Sequence, residues 1–312
     1  MRMPTSLRNS LANLLPARLR AGSPIVPVVR LQGVIGFSTP LRPGLSLASV
    51  TRSLDRAFGI KKAKAVALII NSPGGSPSQS HLIFKRIRQL SEEKKLPVLA
   101  FVEDVAASGG YMIACAADEI ICDTYSIAGS IGVVGGTFGF HKLIEKIGIE
   151  RRLYTSGERK AMLDPFLPEK PEDVERIKSV QRDIHQHFIA LVKSRRGGKL
   201  QGDDVNLFSG EYWTADKARG FGLIDSLGDL RSVLRERYGE KVKTPLMSEK
   251  RGLLSRMVPG MRSDLMRALT PSSFTPSSFT PSSFTTGSLT QGLADDLLSA
   301  AEARALWSRY GL

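Results

Sequence analysis

The run Ala65 to Ile70, AVALII, constrains this chain most. An unbroken apolar run has no side to offer to water, so as a strand it must be covered on both faces, the usual condition of a strand inside a parallel sheet. It stops at Asn71 to Ser76, NSPGGS, and a helical pattern follows from Ser78 to Leu90, with Leu82, Ile83, Ile87 and Leu90 marking its apolar side. Strand, glycine loop and helix then recur. The β-rich stretch Pro97 to Glu103 leads into Ala106 to Ile120, AASGGYMIACAADEI, whose apolar run is helical. Upstream, Pro24 to Gly36 reads as a first strand, and Ser46 to Phe58 carries Leu47, Val50, Leu54 and Phe58 at helical spacing behind Ser46 as N-cap. Such repetition predicts an α/β layered fold with largely buried strands.

Downstream, Glu119 to Cys122 is a short strand and Ser126 to Gly136, SIAGSIGVVGG, a glycine-punctuated β segment. A helix is expected from Phe138 to Ile147, a strand from Glu150 to Tyr154, and a long helix from Lys170 to Arg195 on the spacing of Val174, Ile177, Val180, Ile184, Phe188, Leu191 and Val192. Thr214 to Gly220 reads as a short capped helix and Leu230 to Tyr238 as another. These elements form one domain over residues 24–243, behind a basic arm at 1–23. Composition changes near Thr244. PSSFT occurs three times from Pro271 to Thr285, a period too short for a solenoid unit, so 244–290 reads as a disordered linker. In 291–312, Leu293, Leu297, Leu298, Ala301 and Leu306 lie on one helical face.

A formal charge of +14 favours anionic surfaces. The basic clusters lack interleaved aromatics to stack on bases, so nucleic acid is not expected as a partner. Cys115 and Cys122 sit in apolar sequence and read as small core residues, and the four histidines show no metal-ligand spacing. Neither metal nor cofactor is expected. No stretch reaches the roughly 20 apolar residues of a spanning helix. The arm lacks the apolar centre of a secretory signal, yet Leu7, Leu11, Leu14 and Leu15 share a face beside arginines, a pattern suited to peripheral contact with an anionic membrane. This reading puts the protein in the cytoplasm, with the inner face of the membrane as its peripheral contact.

The chemistry centres on Ser108, a serine between a strand and a helix. There, free N–H groups and the positive end of the helix dipole favour a developing oxyanion. A serine nucleophile needs a base. His141 follows in a predicted helix without an orienting carboxylate. Lys160, within YTSGERKAMLDPF, is the alternative if burial leaves its amine neutral.

NSPGGS at Asn71 to Ser76, ASGGYMIACAADEI at Ala107 to Ile120, AGSIGVV at Ala128 to Val134, SGERKAMLDPF at Ser156 to Phe166 and GEYWTADKARGFGLIDSLGDL at Gly210 to Leu230 occur in one order. Together they resemble the S49 peptidase family, the signal peptide peptidase A or protease IV group, in its short single-module form, over about Ile25 to Tyr238. The resemblance implies a ClpP/crotonase-like α/β superhelix assembled as a ring or dome, with Ser108 as nucleophile and Lys160 as general base, held neutral in a dry site. It further implies that Ser130 orients the lysine and that serine and lysine can come from neighbouring copies. The N–H groups at Gly75 and Gly109 are the candidate oxyanion hole, with Gly74 allowing close backbone approach. Its substrates are signal-peptide-like or unfolded peptides, cleaved without ATP. The spanning N-terminal helix of anchored members is not found here.

Two other readings stand beside this one. A peptidase-fold scaffold would bind membrane or protein partners through its basic face. A crotonase-type acyl-CoA enzyme would use the glycine loops but leave Ser108 and Lys160 without a joint task.

Overall fold

Parallel pairing builds the sheet in this computed structural model, which describes residues 23–36, 44–157 and 159–247. Strands β1 (Val28–Gln32), β2 (Val66–Ser72), β3 (Val98–Ala107), β4 (Glu119–Cys122) and β7 (Ser226–Leu227) run in the order β1-β2-β3-β4-β7, each pair parallel. β3 is long enough to serve two neighbours. Leu99 to Val102 pairs with β4, and Val105 to Ala107 pairs with β5 (Ile127–Gly129). β6 (Tyr212–Thr214) closes on β5 antiparallel. The helices are α1 (Leu47–Phe58), α2 (Pro77–Lys94), α3 (Gly109–Ala114), α4 (His141–Lys146), α5 (Pro171–Arg196), α6 (Asp204–Leu207), α7 (Ala215–Gly220) and α8 (Leu230–Tyr238).

AVALII is covered on both sides, as its unbroken apolar character requires. Val66, Leu68 and Ile70 join one core with Val29, Leu31, Val98, Ala100, Ile120 and the buried faces of α1, α2, α3 and the end of α5. Ala65 and Ala67 join a smaller core on the opposite face with Val28, Leu99, Phe101, Ile121 and Leu234 of α8. Each large aliphatic side chain so enclosed contributes roughly 1.5–3 kcal/mol. Ser46 caps α1 in a reciprocal box with Ser49, and Asp229 caps α8 through the N–H groups of Arg231 and Ser232.

The α/β expectation therefore holds, with four local corrections. Ser126 to Gly136 is strand only at Ile127–Gly129, because only that part lies beside β3 and β6. Glu150 to Tyr154 is no strand, since no neighbouring strand pairs with it. The helix expected from Phe138 to Ile147 is the shorter α4, and nothing along it is buried. Thr214 precedes α7 without a side-chain cap bond, its backbone being taken into β6.

Both cysteines are buried and free, and burial pushes each thiol up to about 12, so they are inert packing residues. Pairing beside β1 continues through Met247, where the Val28 N–H donates to Pro245 O at 2.9 Å and the Met247 N–H to Val28 O at 2.8 Å. The expected arm, the PSSFT linker and the C-terminal helix lie outside the described residues. Among the described residues no helix is long and apolar enough to cross a membrane.

Candidate active site

Ser108 ends β3 and starts α3 with no intervening loop, and its backbone takes φ 52° and ψ −121°. A non-glycine residue in that region is strained by about 1–3 kcal/mol, so surrounding structure must hold it. Three contacts do so. The Ser108 N–H donates to Gly129 O at 2.8 Å, the Met112 N–H donates to Ser108 O at 2.9 Å, and every residue of α3 is buried. Tyr111, wholly enclosed in α3, donates from its hydroxyl to Leu223 O at 2.7 Å. Arg195 closes the other end of the helix by donating to Cys115 O and Ala117 O at 2.9 and 3.0 Å. The Ser108 hydroxyl itself is half-buried and caps nothing.

The two glycines after the serine are required by contact. A side chain on Gly109 would meet Ser80 Oγ at 2.2 Å, and one on Gly110 would meet Ser72 O at 2.5 Å. Gly74 has φ 104°, and a Cβ there would stand 2.8 Å from Ser108 Cβ, so the loop after β2 lies against the serine. Residue 35 fixes that loop. The Ile35 N–H donates to Gly74 O and the Ser76 N–H to Ile35 O, both at 2.8 Å, while the Gly74 N–H donates to Ser72 Oγ at 3.2 Å. The Gly75 N–H between them has no acceptor among the described residues. As the first residue of α3, Gly109 likewise has no intrahelical acceptor for its N–H. Gly75 and Gly109 thus each keep a backbone N–H without a backbone acceptor among the described residues.

Ser130 stands beside Ser108 across the sheet. Ala107 pairs with Gly129 in parallel register, so Ser108 and Ser130 each follow the last paired residue of neighbouring strands. Ser130 also takes positive φ, 54°, and its N–H donates to Glu211 O at 2.6 Å. Two supports of this strand end escaped the sequence reading. The Trp213 ring lies over Gly129, where a Cβ would meet it at 2.8 Å, and His185 Nε2 lies 3.0 Å from Ile131 O. The histidine spacing that argues against a metal site gave no hint of this local role.

Lys160 is placed differently. It lies in an exposed turn after residue 158, with its N–H donated to Gly157 O at 3.2 Å. Among the described residues it makes no side-chain bond with Ser108 or Ser130, and those residues do not supply the dry surroundings expected for it. The reason is the stretch that carries it, residues 134–166, the Lys160 arm, which leaves Phe138 75% and Ile147 61% exposed, with Val134, Leu143 and Tyr154 also open to solvent. His141, the other base considered, begins α4, and its Nδ1 is enclosed without a hydrogen-bond partner among the described residues. No cluster able to hold a metal ion occurs among the described residues.

Comparison with known proteins finds relatives along this chain. A Brucella abortus protein named a Na(+)/H(+) antiporter is 52% identical over 308 residues, which is 98% of this chain and 40% of that one. The chloroplastic serine protease SPPA of Arabidopsis thaliana is 38% identical over 224 residues, covering 69% of this chain and 32% of that protein. The chain thus spans less than half the length of either relative. A Synechocystis relative is 30% identical over 207 residues, matching 64% of this chain and 73% of its own length. Among solved structures, a membrane-bound stomatin-specific protease in complex with a substrate peptide aligns with a TM-score of 0.45 at 19% identity, covering 76% of this chain and 98% of that one. The family model for peptidase family S49 matches residues 90–242, a span that holds Ser108, Ser130 and Lys160. With the family model and the relatives in agreement, the chain belongs to peptidase family S49.

Proposed function

We propose that this chain is a serine endopeptidase in which Ser108 attacks and Lys160 serves as the base. The strained strand-to-helix turn at Ser108, with the unclaimed N–H groups of Gly75 and Gly109 beside it, is the observation that carries this reading. Lys160 Nζ, as a neutral amine, takes the hydroxyl proton as Ser108 Oγ bonds to the peptide carbonyl carbon. The carbonyl oxygen becomes an oxyanion held by Gly75 and Gly109, while Gly74 leaves room for it. Collapse breaks the C–N bond, the lysine ammonium returns the proton to the leaving amine, and water then hydrolyses the Ser108 ester with Lys160 again as base. Ser130, level with Ser108, orients the lysine amine.

The open apolar arm supports an assembly of copies, in which a neighbour covers the arm and desolvates Lys160 where one chain leaves it wet. Serine and lysine of one site then come from two copies. The substrates are unfolded or signal-peptide-like segments, extended enough to reach Ser108. Labelling with a serine-reactive probe, together with casein cleavage by wild type, Ser108→Ala and Lys160→Ala, tests the dyad directly. Full activity in the lysine variant would sink it.

The scaffold reading draws on the charge of +14 and on the Brucella relatives, where the matching stretch belongs to a longer chain named after a membrane transporter. It predicts binding to anionic liposomes with no probe labelling of Ser108. Peripheral membrane contact is compatible with the peptidase reading too, and liposome sedimentation of the active wild type measures it.

A further inference from the structure

Ser108 lies where β3 finishes, and the parallel strands begin at the opposite end of the sheet, about 33 Å away along the ten residues of β3. Segments 59–64, 94–97 and 241–243 come together at that far end. Ile25 bridges Ala63 on one side and Lys243 on the other, the Lys64 N–H donates to Ile25 O at 2.9 Å, and the Lys243 N–H donates to Pro24 O at 2.8 Å. The Val66 N–H donates to Pro97 O at 2.9 Å, which sets the end of α2 beside the start of β2. The three segments hold seven lysines and no acidic, arginine or aromatic residue. All seven are exposed, and none makes a side-chain hydrogen bond or ion pair among the described residues. Of the carboxylates nearby in sequence, Glu92 and Glu240 stand 3.5 Å from Arg88 and Arg235, which leaves Glu93 as the countercharge.

The helix dipole accounts for Lys94, in the last turn of α2. It does not account for Lys61, Lys62, Lys64 or Lys243, which lie in no helix. Backbone strain marks this end as well. Lys62 and Lys95 hold φ 64° and 53°, where glycine is relaxed and a residue with a side chain is not. Both turns carry an exposed cation all the same, as the turn at Ser108 carries its hydroxyl. A dense cluster of unpaired lysines calls for an anionic partner. Lysine presents compact, hydrated point charges, and the arginine forks and aromatic faces that grip nucleic acid are absent from these segments. They also expose no large apolar side chain of the kind that anchors a protein partner. We propose that this lysine face docks on an anionic lipid bilayer through the headgroup phosphates, with Ser108 turned toward the water.

Sedimentation of the full chain with phosphatidylcholine vesicles, with and without phosphatidylserine, tests this. Binding is expected only with phosphatidylserine present, and its affinity should fall at least about tenfold in the triple variant Lys61→Gln, Lys62→Gly, Lys95→Gly, whose two glycines suit the left-handed turns and preserve the fold. Removing the same charge elsewhere on the surface, in Lys85→Gln, Lys170→Gln, Lys217→Gln, should change the affinity less than about threefold. Equal losses in the two variants, undiminished binding in the first, or no binding by wild type overturns the proposal. So does tighter binding to double-stranded DNA at the same ionic strength, which makes nucleic acid the partner. Vesicle binding is read without catalysis, so this proposal and the assignment of Ser108 fail separately.

Discussion

Around Ser108 every residue of α3 is buried, whereas along the Lys160 arm no residue of α4 is. The first region is finished within one chain. Its strained turn is held by β2, β3, β5 and the loop at Ile35, and those supports in turn rest on a continuous core. The second has apolar side chains in quantity but nothing among the described residues to bury them. Even α5 divides this way: Phe188, Val192 and Arg196 are buried, while the half nearer the arm, including Val174 and Ile177, is only partly covered. On our reading the nucleophile is thus preorganised by folding and the base by association.

The sharpest way to break this contrast is at its two poles. Ser108→Ala is expected to lower peptide cleavage on the order of 10⁴-fold or more, with the fold unchanged by circular dichroism. Lys160→Ala should cost on the order of 10²–10⁴-fold in kcat. Mixing these two inactive variants should restore part of the rate if each site draws on two copies. A mixture as inactive as its components would mean that each chain completes its own site.

Within the finished half the effects fall on stability. Gly75 has φ 137° and a Cβ there would meet Ile35 O at 2.1 Å, so Gly75→Ala should lose about 2–4 kcal/mol in urea unfolding and lose activity with it. A smaller loss, about 1–3 kcal/mol, is expected for Asp225→Asn. Burial pushes the Asp225 carboxyl up, but hydrogen bonds from Arg196 at 2.7 Å, Lys199 at 2.6 Å and the Ile120 N–H outweigh it and leave the group below the usual carboxylate range. A depressed folded value stabilises the protein above the unfolded carboxylate pKa of about 3.9 and is lost as pH falls through the folded value. The wild-type advantage over Asp225→Asn should therefore vanish in acid. An advantage that persists below pH 2 would assign the effect to shape rather than charge.

The same division marks what could be read from residue order. AVALII, the α1 spacing and EIIC were legible because local pattern and final packing agree, and α8 spans Leu230–Tyr238 as expected. In the arm, the strand expected at Glu150 to Tyr154 and the longer helix expected there rest on apolar spacing that finds no partner in one chain. At the site, ASGG announced a strand-to-helix turn. Nothing local announced that Ile35 grips the Gly74 loop or that Trp213 lies on Gly129, since both contacts join residues distant in sequence.

The positive φ of Ser108 has a further meaning for how such a chain changes over generations. Glycine relaxes in that conformation and serine does not, so Ser108→Gly is expected to raise the denaturant midpoint by about 1 kcal/mol of stability while erasing the nucleophile. Loss of the hydroxyl is then downhill for folding, and only selection for the reaction keeps serine at the turn. On our proposal, relaxed selection would let this fold drift toward an inert and sturdier descendant, which sequencing of variants passaged without need of the activity would reveal as loss of the serine.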